Sequence, residues 1–550
     1  MLFSFANTVI SCKILSTMRF KSLILVLLSA GLFALALPNE FFIYGNPLIG
    51  LIALVPLFYG LTLCRSIKFA ALLGALFGVA STLLAYYWLM FYQDFSVWTV
   101  TGTAFGYAIY YSLFFIFLKQ FSRETAVYRP FLLTVAWVIF EYFKSTGYLG
   151  FPYGLMAYPV VSILPLIQIA DITGIWGITT VVVLVNALGA EALIAGRRLI
   201  FPRMVHVRQW GVAVSLIALM LVYGTVRLNS SIPIVKKFNA ILVQQNIDSW
   251  VSGNEIESMV VGQRLSREGL EETENPVDII MWSETSLRRP FDEFQHFYEQ
   301  EPEGDTFLEF LQEIDTNLFL GAPYMVNWEN YEVMNAVILI SPEGKVIDYY
   351  GKQHPVPFAE HIPFWEVPFV QRFFKEAVGL YSGGWVLGKE YTIFELPLQS
   401  SSPSDDTSSG PQTVTFGAPI CFEDAFPRIC RGFILGGADL LINLTNDSWS
   451  KRVSAETQHF VAALFRSVET KRVLVRSTNA GVTSVIDPYG RVIASLPLFT
   501  EAVLSTEIPV YREEKLTPYT LYGDYLPFFY MAVVVAYLII RRFRLLRPSG

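Results

Sequence analysis

The sequence predicts a chain in two parts: a membrane α-helical bundle, and an α/β sandwich domain held on its outer side. Three observations point there. Hydrophobic residues make up 53% of the 550 positions and charged residues only 16%, the balance of a membrane protein. Apolar runs near the length of a bilayer crossing recur up to residue 228 and return once near the C-terminus. Between them, nearly three hundred residues alternate strand-like and helix-like stretches.

The apolar runs lie at about 20–37, 48–63, 69–92, 100–119, 129–146, 162–195, 210–228 and 526–541, which predicts about eight transmembrane helices. Lys and Arg set their direction, because positive residues stay on the cytoplasmic side. Lys13, Arg19 and Lys21 precede the first run, Arg65 and Lys68 follow the second, and Lys119, Arg123 and Arg129 separate the fourth and fifth. Arg197, Arg198, Arg203 and Arg208 lie before the seventh; Arg541, Arg542, Arg544 and Arg547 follow the last. The alternate loops, such as "PNEFFIYGNP" and "YQDFSVW", are nearly free of positive charge. Both termini are therefore expected in the cytoplasm. The expected organisation is 1–19 as a cytoplasmic segment, 20–228 as a seven-helix domain, 229–512 as the outer domain, 513–542 as a closing helix with its lead-in, and 543–550 as a cytoplasmic tail. The first run, with its basic flank and "ALALP", also fits a signal peptide, and Met18 is an alternative start; neither changes the remaining topology.

Within the outer part, 238–246, 278–285, 317–324, 335–341, 413–420 and 438–446 read as strands, short and rich in branched residues. Residues 306–314 and 456–475 carry helical patterns, so helices should cover sheets. The stretch "LQSSSPSDDTSSGPQ", 398–412, reads as a mobile polar loop.

Composition also excludes partners. A formal net charge of −7 without a basic block argues against nucleic acid. Cys12, Cys64, Cys421 and Cys430 and five scattered His show no metal-ligand spacing, so neither a metal nor another cofactor is expected.

Chemistry centres on "TVTFGAPICFEDAF", where Cys421 ends a strand and precedes a helical pattern. A nucleophilic thiol needs nearby positive charge or helix N-terminal dipoles, and donors for an oxyanion. Glu423 and Asp424 close behind it work the other way. Cys430, with Phe426 and Phe433 on its helix face, reads as a buried core thiol; a disulfide to Cys421 is conceivable in an oxidising compartment. Two other segments supply partners. Glu284 in "MWSETS" follows a strand, a natural place for a general base, and Lys352 and Glu360 stand among prolines and aromatics in "YYGKQHPVPFAEHIPF".

Together these segments resemble the nitrilase superfamily, with its Glu, Lys, Cys triad in that chain order; Glu284, Lys352 and Cys421 fit it. With flanking spans added, the chain resembles the apolipoprotein N-acyltransferase family. "VQQNIDSW" with Trp250, the lysine loop with Glu360, "CFED" with Glu423, and "NLTNDSW" with Asn446 and Trp449 match further motifs, as do Arg466, Glu469, Arg472 and Asn479 beyond them. Departures fall at Ser283, Phe422, Ser450 and Lys451 and leave the triad untouched.

The resemblance implies an αββα nitrilase-like catalytic domain in the periplasm of a bacterial inner-membrane protein. It implies acyl transfer from a phospholipid, through a Cys421 thioester, to the α-amino group of a diacylated apolipoprotein. Glu284 would be the base; Lys352 and the Phe422 N–H would hold the oxyanion, and Glu423 would orient Lys352 or its loop. The aromatic stretch 361–385 is expected to dip into the bilayer interface as a mobile arm. A membrane-tethered amidase using the same triad is the alternative; a transporter or sensor would need charged or broken spans, and the spans carry few internal charges beyond Glu141 and Asp171, with Glu191 near a cytoplasmic end.

Overall fold

The structure is a computed structural model and describes residues 2–92, 96–196, 204–249, 251, 253–378, 384–398 and 412–546. Six helices among these are long and apolar enough to cross a membrane: Thr17–Ala36, Ile67–Ala85, Val97–Ser122, Ile175–Ala195, His206–Asn229 and Tyr525–Phe543. The other two expected runs are shorter for identifiable reasons. The run 48–63 splits into Pro47–Gly50 and Val55–Leu63. Asn186 fills the break: its Oδ1 accepts from the Leu54 N–H at 2.7 Å and its Nδ2 donates to the Gly50 carbonyl at 2.9 Å. Backbone groups that leave a helix in a membrane must be satisfied in some such way. The run 129–146 becomes Arg129–Ser145, 17 residues, with Glu141 and Lys144 buried inside the bundle.

The bundle has two chemically distinct ends. At one, the Arg- and Lys-bearing segments meet: Arg129 pairs with Glu191 at 3.0 Å, Arg541 with Glu124 at 3.3 Å, and Arg123 donates to the Arg65 carbonyl at 3.1 Å. The opposite end is fastened to the sheets. There Gln458 Nε2 donates to the Pro38 and Ala85 carbonyls at 3.1 and 3.0 Å, Gln168 Nε2 to the Tyr489 carbonyl at 2.9 Å, and Lys471 Nζ to Gln168 Oε1 at 2.7 Å. Basic and base-poor loops therefore alternate between ends, as the charge pattern predicts.

The strands, in chain order, are β1 (Ile234–Gln244), β2 (Ile279–Met281), β3 (Asn317–Asn327), β4 (Glu332–Ile340), β5 (Val346–Gly351), β6 (Ile393–Pro397), β7 (Thr413–Gly417), β8 (Leu440–Thr445), β9 (Leu474–Thr478), β10 (Ser484–Ile486), β11 (Val492–Ser495) and β12 (Ala502–Tyr511). They form two six-stranded sheets, β12-β1-β2-β3-β4-β5 and β11-β10-β9-β8-β7-β6. The period-2 alternation of a strand gives each sheet two faces. The inner faces meet: the Phe319 ring of β3 lies 5.1 Å from Phe394 of β6 and 5.2 Å from Phe416 of β7. The outer face of the first sheet, with Ile241, Ile280, Leu320 and Ile338, packs on helices Asn254–Glu271 and Phe307–Ile314. The second sheet is covered by Pro427–Leu435 and Val453–Thr470, the latter buried along nearly its whole length between sheet and bundle. The layers are therefore α, β, β, α.

The expected strands and helices form at the positions read from the sequence, with one change of kind. The helical pattern 456–475 stops at Thr470, where Lys471 takes a left-handed φ of 53° and ends the helix; the chain then enters β9. The polar loop 398–412, apart from its two end residues, lies outside the described residues.

Candidate active site

The candidate catalytic residues stand at the ends of strands from both sheets. Glu284 follows β2, where Gly321 of β3 gives its backbone room: a Cβ at Gly321 would sit 2.5 Å from the Glu284 Cα. Lys352 follows β5, its backbone N–H donating to the Asn335 carbonyl at 2.8 Å. Cys421 follows β7 with a φ of 48°, a strained left-handed conformation for a side-chain-bearing residue. Behind it comes a five-residue 3-10 turn, Cys421–Ala425, rather than the start of an α-helix, which begins only at Pro427.

The structure brings these residues together around one buried ammonium. Lys352 Nζ donates to Glu284 Oε1 at 3.1 Å and to Glu360 Oε1 at 2.7 Å. Asn335 Nδ2, which sequence reasoning left inside a strand, donates to the same two oxygens at 2.9 Å each. Asn446 serves through its backbone, its N–H reaching Glu284 Oε2 at 2.9 Å, and the Val356 N–H reaches Glu360 Oε2 at 2.6 Å. Cys421 stands close enough for the Glu284 charge to act on its thiol, and as a residue it is partly exposed while Glu284 and Lys352 are buried.

Burial opposes charge on all three groups, and their partners decide the outcome. For Glu284, Lys352 and the Asn335, Asn446 and Cys421 donors outweigh burial and hold the carboxyl below its ordinary range. For Lys352, Glu284 and Glu360 overcome burial and hold the ammonium well above its usual value. Burial and then Glu284 push the Cys421 thiol well up; Lys352 opposes this, but Asp447 and Glu360 add to the rise. The resting state is therefore a neutral thiol beside a carboxylate–ammonium pair. The positive charge expected to ionise the thiol is present, but two carboxylates share it.

Glu423 has a different task from the one its position beside a thiol suggested. It is fully buried, and its carboxylate accepts from the backbone N–H of Gln353 at 2.7 Å, His354 at 2.8 Å and Ile420 at 2.9 Å, and from the Tyr350 hydroxyl at 3.1 Å. It thus ties the loop after Lys352 to the turn that holds Cys421. Burial raises its pKa to about 7 against the pull of these donors.

A second buried cluster behind Cys421 was not read from the sequence. His459 Nε2 lies 2.9 Å from Asp424 Oδ1 and its Nδ1 3.2 Å from Asp447 Oδ1. Arg476 pairs with Asp424. Asp447 Oδ2 and Glu456 Oε2 are buried without a donor and both lie 2.8 Å from the point a Gly481 Cβ would occupy. Burial and then Asp447 push Glu456 well above the carboxylate range. Burial works against charge on His459, but Asp447 and Glu456 prevail and raise it. The signal was present as "CFED" and "TQHF"; what linked them was the fold.

The remaining expected residues take varied positions. The Phe422 side chain is buried against Tyr153, His354 and Phe426. Trp449 packs in the seam to the bundle, 5.8 Å from Trp88 and 5.6 Å from Tyr92. Trp250 lies outside the described residues. Asn479 bonds to Asn446 Oδ1 at 3.1 Å, and Arg466 pairs with Glu469 at 3.1 Å within its own helix. Cys430 is buried, and it and Cys421 are free thiols. The charges in the spans are locally paired: Asp171 with Arg227 at 3.0 Å, Glu191 with Arg129, and Glu141 with the Trp137 Nε1 at 2.8 Å. Among the described residues, no cluster of His, Cys, Asp and Glu could hold a metal ion.

Comparison with known proteins agrees with both halves of this architecture. Residues 29–188 match the model of the apolipoprotein N-acyltransferase N-terminal domain, and residues 242–515 that of the carbon-nitrogen hydrolases. Apolipoprotein N-acyltransferase 2 of Treponema denticola is 37% identical over 94% of this chain and 97% of its own. A second such protein, from Treponema pallidum, is 35% identical over 88% of each chain. Apolipoprotein N-acyltransferase of Borreliella burgdorferi is 30% identical over 89% of this chain and 90% of its own. A multi-pass helical bundle, an αββα sheet domain fastened to it and full-length similarity to these enzymes together show that the chain belongs to the apolipoprotein N-acyltransferase family.

Proposed function

We propose that the chain moves an acyl group from a membrane phospholipid to the N-terminal α-amino group of the diacylglyceryl cysteine of apolipoproteins, through a thioester on Cys421. The observation that carries this reading is a partly exposed cysteine beside a carboxylate–ammonium pair, in a domain pinned to a membrane bundle. Glu284 takes the thiol proton as the sulfur attacks the phospholipid ester carbonyl. The Lys352 ammonium and the Phe422 N–H receive the oxyanion; losing one such donor raises a barrier by roughly 3 kcal/mol. Collapse expels a lysophospholipid, whose oxygen takes the proton from Glu284. The acceptor amine then attacks the thioester, Glu284 takes its proton, and the sulfur leaves and regains that proton. Because the thiol rests neutral, proton transfer accompanies attack instead of preceding it. Both substrates are lipids, which suits a domain fixed to the bilayer and disfavours a small-amide hydrolase.

In this reading 229–512 is the catalytic domain, on the periplasmic side of a bacterial inner membrane, with 20–228 and 513–542 in the bilayer and both termini cytoplasmic. The segment after Glu360 supports a lipid-facing arm. Phe364, Phe369 and Phe373 are 61%, 76% and 52% exposed, and Tyr148 of the bundle lies 6.4 Å from Phe364 and 6.2 Å from His361. The test uses phospholipid labelled in its acyl chain and an added diacylated lipopeptide, followed by mass spectrometry. Label should reach Cys421 and then the lipopeptide amine. Transfer at an undiminished rate by the Cys421→Ala protein would overturn the proposal.

A further inference from the structure

Beside the catalytic groups lies a cleft of about 520 Å³ lined by Phe91, Asn246, Ile247, Asp248, Val251, Asn254, Glu257 and Ser448 to Arg452. Its inner wall is two hydrogen-bond links from the base. The Asn446 N–H binds Glu284 Oε2, while Asn446 Oδ1 accepts from Ser448 Oγ at 2.7 Å and from Asn479 Nδ2 at 3.1 Å. Asn479 Oδ1 in turn accepts from the Ile247 N–H at 3.0 Å. Its outer wall is the bundle: Phe91 ends the 3-10 segment Tyr87–Phe91 that follows the span Ile67–Ala85, and the Arg452 guanidinium lies 3.9 Å over its ring. The seam is rigid there, because Glu40 accepts from Ser454 Oγ at 2.6 Å and from the Ser454 N–H at 3.2 Å. The cleft thus lies between a wall hydrogen-bonded to the base and the segment that follows a membrane-spanning helix.

We infer that this cleft holds the polypeptide that follows the acylated cysteine of the acceptor, an inference that rests on the acyl-transfer reading above. Glu284 must touch the acceptor amine in that reaction, and Asn446, which binds Glu284 through its N–H and the cleft residue Ser448 through its side chain, places the cleft next to that point for the acceptor's polar portion. The volume falls within the ~300–1,000 Å³ of sites that enclose a small polar ligand. The lining chemistry is that of a peptide partner. Asn246, at a φ of 55°, is fixed in the wall by its Nδ2, which donates to the Phe499 carbonyl at 3.1 Å. Lys451, at a φ of 46° that lysine seldom adopts, and Arg452 offer donors to carbonyls or an acidic side chain. Asp248 and Glu257 line the same space, which weakens it as a site for a phosphate headgroup.

The test separates the two half-reactions of the full chain in lipid nanodiscs. Cys421 is first loaded from labelled phospholipid, and the acyl-enzyme is then mixed with either diacylglyceryl cysteine amide or the same cysteine extended by five residues. Wild type should consume the extended acceptor about tenfold faster at subsaturating concentration. In Lys451→Glu and in Lys451→Glu/Arg452→Glu, at two exposed positions, the ratio should fall to within twofold while loading of Cys421 keeps its rate. Equal rates for both acceptors in wild type, or an unchanged ratio in the variants, would overturn the cleft's assignment. Slowed loading with an unchanged acceptor ratio would overturn it too, and would assign the cleft to the phospholipid headgroup. Failure of wild type to load Cys421 at all would instead remove the acyl-transfer reading.

Discussion

Replacing Glu284 by Gln should make Cys421 more reactive to a simple alkylating reagent while abolishing its acyl chemistry. In the wild type, burial and the Glu284 charge are the two largest causes that hold the thiol well above its usual pKa. A carboxylate at hydrogen-bonding range, ~3.5 Å, interacts with a thiolate by about 5 kcal/mol at an effective dielectric constant near 20. That caps the shift at roughly 3 to 4 pH units, and relaxation brings the expected value to about 1 to 3. The substitution also leaves Lys352 with Glu360 as its one carboxylate partner, so more of its positive charge acts on the sulfur. The assay is the rate of Cys421 carboxamidomethylation by iodoacetamide at fixed pH between 8 and 9, resolved by peptide mass spectrometry from Cys12, Cys64 and Cys430. The Gln variant should alkylate about 10- to 1,000-fold faster, yet lose ~10²- to 10⁴-fold in acyl transfer with its base gone. Slower alkylation in the variant would mean that Glu284 maintains a thiolate, and the neutral-thiol mechanism would fall.

Glu423→Ala strands three backbone N–H groups, each costing about 1 to 3 kcal/mol, so a fall in Tm together with a weaker hold on Lys352 is expected by calorimetry and turnover. Glu423 titrates at about 7 when folded and near 4.5 when unfolded. Between these values the native state holds the extra proton, so stability from this group is present below about 4.5 and lost as pH rises through about 7. Glu423→Gln should flatten that slope in a Tm–pH series. His459→Ala removes the bridge between Asp424 and Asp447; breaking such a buried pair costs ~3 to 5 kcal/mol. Lowered kcat with a changed pH profile of Cys421 alkylation would mark it as a positioning residue; a fall in Tm alone would mark it as merely structural. Phe364→Ser/Phe369→Ser/Phe373→Ser should raise KM for vesicle phospholipid several-fold and spare a soluble thioester donor; equal effects on both would rule out a lipid-facing arm.

Much of this was legible in the sequence because its signals are local. A strand ending in Glu284, a loop bearing Lys352 and Glu360 and a strand ending in Cys421 can each be read from a dozen residues, and their chain order supplied the resemblance. The spans were equally plain, except where tertiary contacts decide. The break in the run 48–63 depends on Asn186, more than a hundred residues away, and no window over that run contains the cause. Asn335, His459 and Glu456 were missed for the same reason: each resembles an ordinary polar residue until the fold sets it against a carboxylate. The stop at Lys471 escaped because the helical period continues through it, and only the left-handed turn shows where the chain changes course. The balance of charge at Cys421 is likewise a matter of distances, since the acids next to it in sequence are turned to other work and those that act on it come from β2, from the lysine loop and from beyond β8.

The fastening of the sheet domain to the bundle has a mechanical consequence. Gln458 and Ser454 join the two beside Pro38 and Glu40, Lys471 and Gln168 join them at a second place, and Arg431 adds a third by donating to the Thr520 carbonyl at 2.8 Å, just before the closing span. A body held at that many places does not nod. With the bundle set in a bilayer, these ties would fix the height of the sulfur above it, like a blade set in a plane. A thicker or thinner membrane changes how far an ester must rise to meet it, so turnover should track lipid chain length even when the chemistry of the headgroup is kept the same.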